Sequence, residues 1–329
     1  MSSEHSKMPH AAPQQAQPQP TAPQQGDMEY SALEACAHRL EQHPDYRVLR
    51  RLPAHFRAQA KAVGPVACAV ILDTETTGLD PAVDELIELA LVRFQWDTAT
   101  GQVLQVVASY DALEQPVGAI PASATRIHGI TADMVQGQRI DEARVGALLR
   151  DVSLVIAHNA AFDRQFAEKR FPLFQSIPWS CSLKEIPWAE EGFGSAKLDY
   201  LLGCTGYFHE AHRAEADCMA LLQILQYPLP VSGQRGMQLL FRAQHRSGIR
   251  IWARNSPFEQ KDQLKQLGYR WEPSERCWVL ESGPERLEED LARLKQQGYN
   301  NKAARVEVET LDALRRYSNR PGERVQRQI

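Results

Sequence analysis

Residues 71–78 read ILDTETTG, and they close a continuous apolar run, ACAVIL at 67–72, with a carboxylate at Asp73. An apolar run of this length is the pattern of a strand buried on both faces. Successive side chains on a strand alternate, so Asp73 and Glu75 lie on the same face at its end. Two carboxylates this close repel, and burying them requires either a cation between them or raised pKa values. A hard dication such as Mg²⁺ or Mn²⁺ would satisfy both with oxygen ligands. An Asp-x-Glu pair alone is a common pattern, so its meaning depends on what the rest of the chain brings to it.

Downstream, residues 85–96 and 103–110 are strand-like and flank DTATGQ, a turn signal, which predicts a hairpin. A short strand at 153–157, a helix at 160–169, a short strand at 179–183, a helix near 197–202 and an amphipathic helix at 213–226 follow. Three antiparallel strands and then alternating strands and helices predict a mixed α/β sheet. Residues 229–248 read as a linker. Residues 249–329 read as a small basic, aromatic-rich α+β domain: a strand at 249–253, a helix at 257–267, a hairpin around PSER, a charged helix at 284–297, a strand near Val306 and a short helix ending before Pro321. Upstream, residues 1–27 are Gln/Pro/Ala-rich and predicted to be a disordered tail. Residues 28–63, interrupted by Pro44 and Pro53, predict two or three short helices packed on a domain spanning 64–228.

The net charge of −4 is divided unevenly. Residues 66–228 hold 11 Lys and Arg against 22 Asp and Glu, whereas residues 231–329 hold 19 against 13. An acidic module beside a basic one suggests metal chemistry in the first and phosphate attraction in the second. The six cysteines at 36, 68, 181, 204, 218 and 277 form no CxxC pair, which argues against a zinc knuckle or a disulfide framework and suits a reducing cytoplasm. No apolar run approaches the roughly 20 residues of a spanning helix, and the first residues have no apolar stretch of the secretory kind. Neither a membrane partner nor export is expected.

Two further segments carry acids. In AHNAAFD (157–163) a strand feeds a helix, and Asn159 and Asp163 are one helical turn apart with Phe162 beside them. Asn159 is equally readable as a helix N-cap. In AHRAEADCMALLQIL (211–225), Asp217 lies on the apolar face with Leu221 and Ile224, an awkward place for an unpartnered carboxylate. His212 precedes it by five residues and can reach the same site. Four acids and one histidine match what two-metal phosphodiester hydrolysis needs: carboxylates holding two ions about 3.5–4 Å apart, and a neutral imidazole to take a proton from water.

The motifs ILDTETTG, RIHGIT (126–131), AHNAAFD and AHRAEAD, in this order and spacing, resemble the DEDDh family of 3′→5′ exonucleases, with similarity to the proofreading (epsilon) subunit of bacterial DNA polymerase III. The resemblance covers residues 66–228, roughly half of the chain. It implies an RNase H-like mixed sheet flanked by helices. Asp73, Glu75, Asp163 and Asp217 would hold two Mg²⁺ or Mn²⁺ ions, with His212 as general base. It also implies that Thr76 and Thr77 approach the terminal nucleotide through their backbone, that His128 lies near that nucleotide, and that Asn159 and Phe162 line the strand, the ring being available for stacking. His128 is also readable as a hydrogen-bonded turn residue beside Gly129. The chain departs from proofreading relatives at Ser123, where they often carry an acid. His209, eight residues before Asp217, matches no family position and is not expected to be the base.

The expected activity is 3′→5′ hydrolysis of DNA at single-stranded or frayed ends, releasing nucleoside monophosphates. The alternatives are an exoribonuclease of the RNase T or oligoribonuclease type and a non-catalytic nucleic-acid-binding scaffold. Nucleic acid is the expected partner, DNA ahead of RNA, with a polymerase or sliding clamp as further candidates. The clamp idea comes from Gln238-Leu239-Leu240-Phe241, which is similar to short clamp-docking peptides and equally explicable as an apolar linker packing on a domain. In the C-terminal region, Trp252, Tyr269, Trp271 and Trp278 alternate with Arg250, Arg254, Arg270 and Arg276, a pattern that fits either stacking on bases or the core of a small domain.

Overall fold

A computed structural model describes residues 25–53, 56, 61–210 and 212–329. The predicted tail lies almost wholly outside the described residues. Two compact units divide the chain, residues 1–48 and residues 49–329. In the first, α1 (Gln25–Glu41) is the one described helix. Among the described residues of 28–63 a single longer helix stands where two or three short ones are predicted, and beyond Pro44 the backbone enters a two-residue strand, β1 (Arg50–Arg51); residues 54, 55 and 57–60 lie outside the described residues.

The second unit is built on two five-stranded sheets. In chain order, its first part contains β2 (Val66–Thr76), β3 (Leu86–Asp97), β4 (Val103–Leu113), α2 (Ala122–His128), α3 (Ala132–Val135), α4 (Glu142–Leu148), β5 (Leu154–Ala157), α5 (Ala160–Arg170), β6 (Trp179–Cys181), α6 (Ser182–Glu185), α7 (Leu198–Cys204), β7 (Tyr207–Phe208), α8 (Ala214–Gln226) and α9 (Gly236–Ala243). The main sheet has the order β4-β3-β2-β5-β6. The β2–β3 and β3–β4 pairs are antiparallel, whereas β2–β5 and β5–β6 are parallel pairs. This is the RNase H-like mixed sheet that the sequence predicts. The ACAVIL run forms the central strand because both of its faces are covered. Ala69 and Ile71 join Val92, Phe94, Trp96, Leu221 and Leu225 in one core. Val70 and Leu72 join Leu89, Leu91, Phe166 and Trp179 in the other.

The remainder forms the second sheet: β8 (Gly248–Ala253), α10 (Lys261–Gln266), β9 (Arg270–Glu272), β10 (Cys277–Ser282), α11 (Leu287–Arg293), β11 (Arg305–Leu311) and β12 (Glu323–Gln328), in the order β12-β11-β8-β10-β9. Two readings need correction here. Residues 312–320 form turns rather than a helix: the N–H groups of Arg315 and Arg316 return to Asp312 O, the carbonyls of Ala313, Leu314 and Arg316 are taken by Arg164, and the chain then returns as β12 along β11. Part of the presumed linker is helical: α9 buries Leu240, sets Phe241 edge-on to Trp96 at 4.9 Å, and uses the Gln238 side chain to accept from Arg235 N–H. Gln238, Leu240 and Phe241 are therefore committed to the fold, and they do not form an exposed clamp-docking peptide. Of the two readings left open for the C-terminal aromatics, the core one holds for three: Trp252 and Tyr269 are buried and Trp278 packs partly into the core, whereas Trp271 is about half exposed. Their arginine neighbours are largely neutralised, Arg254 by Glu275 and Glu307 (both 2.8 Å) and Arg270 by Glu281 (3.3 Å).

No described helix is long and apolar enough to cross a membrane. Trp96 is fully buried between β3 and α9, so truncating it removes a large packed ring. We expect Trp96→Ala to lower unfolding free energy by about 3–5 kcal/mol. Val107→Ala, on the exposed edge strand, should cost less than about 0.5 kcal/mol. Urea titrations with matched slopes would measure both.

Candidate active site

Three chain segments meet at the carboxyl end of β2. Strand pairing fixes the first: Asp73 lies opposite Ala90 and Glu75 opposite Glu88, and the register shifts between Glu75 and Thr76, breaking the ladder beside the acids. The second segment, β5 into α5, brings Asp163. Its Oδ1 accepts from both the backbone N–H (3.1 Å) and the hydroxyl (2.9 Å) of Thr74, the residue between Asp73 and Glu75. The third is the start of α8, which brings Asp217. Carboxylate oxygens of Asp73, Glu75 and Asp217 all lie within 4.8 Å of one another. At that separation each ionised pair costs roughly 3–4 kcal/mol at the effective dielectric of a protein surface.

The acids respond as burial and like charge dictate. Burial and then the neighbouring Asp163 and Asp217 hold Asp73 well above the usual carboxylate range. Burial and then Glu88 push Glu75 to about 8. Burial pushes Asp163 to about 7 despite its bonds from Thr74. An all-oxygen, mutually repelling donor set is what a hard divalent cation fits.

The histidines divide differently from the sequence reading. His212 is exposed, in a left-handed backbone conformation (φ 62°), and lines a cavity of about 620 Å³ together with Asp73 and Asp217. Its backbone N–H donates to Asp217 Oδ2 at 3.0 Å. The imidazole that touches Asp217 belongs to His209, whose Nε2 lies 2.5 Å from Oδ1 while its Nδ1 is 3.4 Å from Asp199. His209 is thus part of the site's wall. Its position beside the apolar Tyr207–Phe208 pair was the one available hint that it turns inward. His128 is buried. Its Nδ1 accepts from Ile130 N–H at 3.0 Å, as a turn histidine would, and its Nε2 has no hydrogen-bond partner among the described residues. Burial lowers its pKa, while the Thr76 backbone acts in the opposite direction.

Among the remaining expected residues, Asn159 is exposed in a left-handed conformation (φ 85°) and gives α5 no side-chain cap. Phe162 is half-buried against Phe166, with ring centroids 5.0 Å apart. Thr76 is buried beside the acids, its hydroxyl donating to Gly78 O at 2.5 Å. Thr77 is buried. Its N–H donates to Glu85 O, and its hydroxyl accepts from Glu85 N–H, closing the loop ahead of β3.

Sequence reasoning missed Glu88. It is fully buried opposite Glu75, with Oε1 unpaired by any hydrogen bond and 3.4 Å from the Arg213 guanidinium, and Oε2 accepting from Ala214 N–H at 3.3 Å. The signal was present: Glu88 sits in LIELALV, an acid in an apolar strand, the same anomaly that drew attention to Asp73.

An RNase H-like sheet with clustered acids at the end of its central strand defines a nuclease-type catalytic domain. A family model described as "Exonuclease" matches residues 70–225. The PolC-type DNA polymerase III of Thermotoga maritima is 36% identical over 115 residues, 34% of this chain and 8% of that protein. The DNA polymerase III subunit epsilon of Treponema pallidum is 29% identical over 167 residues, 46% of this chain and 72% of that protein. A solved structure of Exonuclease X in complex with 5′-overhanging duplex DNA superposes with a TM-score of 0.39 at 25% identity, covering 53% of this chain and 98% of that one. The chain spans less than a tenth of the length of the PolC-type relative.

Raised carboxyl pKa values carry a definite sign. The folded state binds protons more tightly than the unfolded chain, so the stability they contribute is complete below about pH 4.5 and is lost as pH rises through about 7 to 8. In chelator, the melting temperature should therefore fall between pH 5 and 8.5. Added Mn²⁺ should restore it more at pH 8 than at pH 6, because ligands must deprotonate to bind a metal. Asp163→Asn should raise the metal-free melting temperature at pH 8 while abolishing this restoration. Differential scanning calorimetry reads all three.

Proposed function

We propose that the protein is a 3′→5′ exonuclease acting on single-stranded or frayed DNA ends and releasing nucleoside monophosphates. The observation that carries this reading is the convergence of Asp73, Glu75 and Asp217 within 4.8 Å, with Asp163 bonded to the residue between the first two. These four acids would hold Mg²⁺ or Mn²⁺, two ions by the inventory of ligands. When bound, such ions supply an activated water and charge neutralisation at the departing oxygen.

The protein's own residues supply the rest. His212, on the exposed lip of the cavity, takes a proton from the attacking water and is free to pass it to solvent. Buried His128 would offer its Nε2 to an oxygen of the terminal nucleotide. The half-buried Phe162 ring offers a stacking surface, with exposed Asn159 beside it. The DNA polymerase III names of the relatives support DNA over RNA as the substrate.

A digestion series on matched 5′-labelled single-stranded DNA, duplex DNA and RNA oligomers, with Mn²⁺ or chelator, tests this reading. We expect ladders shortened from the 3′ end, mononucleotide products, a preference for single-stranded DNA, and no products in chelator. His212→Ala and Asp217→Ala should each abolish trimming while circular dichroism stays native. Full activity in both folded variants would refute the mechanism. Faster loss of RNA than of DNA would move the substrate to the exoribonuclease class, and binding without products would leave only a scaffold.

A further inference from the structure

Arg164 directly follows Asp163 on α5 and is fully buried. A guanidinium inside a protein is tolerated only where its donors are met. Nε donates to Glu168, one turn along, at 2.7 Å. Nη1 donates to the carbonyls of Ala313 (3.1 Å) and Arg316 (2.6 Å), and Nη2 to that of Leu314 (2.6 Å). All three carbonyls belong to the turns at 312–320 that join β11 to β12. The same segment is fastened to the main sheet at other points. Trp179 N–H donates to Ala313 O at 2.9 Å, Arg316 pairs with the buried Glu185 at 3.1 Å, and the Tyr317 hydroxyl donates to Glu185 at 2.9 Å. Arg320 pairs with Glu168 at 2.9 Å.

Consecutive helix residues are about 100° apart, so Asp163 can face the pocket while Arg164 faces these turns. The brace therefore grips α5 without entering the cavity. We propose that residues 312–320 are a positioning element for Asp163, acting through Arg164. The second sheet delivers a segment that fixes α5 about its axis and thereby sets the fourth carboxylate against Asp73. This proposal rests on the nuclease reading above. A displacement of about 1 Å at such a group can cost on the order of 100-fold in rate, so a rigid brace has a catalytic consequence.

Arg164→Met keeps the bulk and removes every donor. Arg316→Met and Tyr317→Phe loosen the segment from its far side and leave Arg164 intact. In each variant of the full chain that is folded, we expect kcat to fall about 10- to 100-fold and Mn²⁺ affinity by calorimetry to weaken about 10-fold. KM for a single-stranded DNA oligomer should stay within about two-fold of the parent. Arg164→Lys should recover only part of the loss, because an ammonium cannot reproduce the fork. Folded variants that melt earlier but keep parental kcat and Mn²⁺ affinity below their melting temperature would overturn the proposal and leave the segment merely structural. If Arg164→Met does not fold, the two distal variants decide the matter by the same criteria. Failure of the parent to digest any oligomer would defeat the nuclease reading alone, since Mn²⁺ calorimetry still compares parent and variants. Absence of Mn²⁺ uptake by the parent would sink both.

Discussion

Repulsion among carboxylates at the end of β2 is the constraint on which the catalytic half depends. Asp73 and Glu75 emerge from a strand covered on both faces, Asp217 arrives from α8, and Asp163 is bonded to the residue between them. Among the described residues nothing neutralises them in proportion: Arg213 is about half exposed and pairs with Glu88. The fold pays for this arrangement in stability. That cost is sustainable because the strand ends are anchored by large cores on both faces, which do not depend on the charge state of the pocket.

Much of this was legible in the sequence, for a physical reason. A buried strand announces itself by continuous apolarity, and an acid ending such a run is an anomaly that burial cannot hide. The hairpin around residues 97–102 and the helices carrying Asp163 and Asp217 follow from similarly local signals. The mixed character of the main sheet came from the alternation of strands and helices and from the resemblance; its strand order came only from the structure. What escaped was settled by long-range contact. That the Thr77 hydroxyl accepts from Glu85 N–H depends on a residue eight positions away. Whether His209 or His212 touches Asp217 depends on how the loop before α8 closes, and spacing alone favours His212.

The C-terminal region shows the same limit from another side. Alternating arginines and tryptophans suggest a surface for nucleic acid, yet Trp252 is buried with its N–H on Glu309, and Arg254 and Arg324 lie over its ring. A local pattern of cations and aromatics describes a stacking surface and a self-neutralised sheet equally well. The difference lies in the glutamates that strand pairing brings across, Glu307 and Glu309 from β11. The excess positive charge of residues 231–329 is real, but much of it is spent inside the fold.

Partnering of buried charge therefore distinguishes the site from the scaffold. Arg164 has Glu168 and three carbonyls, Glu185 has Arg316 and Tyr317, Glu191 has two backbone N–H groups, and Glu309 has Trp252, Gly322 and Arg324. Each of these groups is compensated within the chain and needs no ligand. The acids around Asp73 are the described cluster in which buried like charges face one another without equivalent compensation. A polypeptide can hold such a cluster only in a protonated state or around a cation. On the proposed nuclease reading, hydrolysis near neutral pH would use the ionised state, and a bound cation would then offset the same repulsion that raises these carboxyl pKa values.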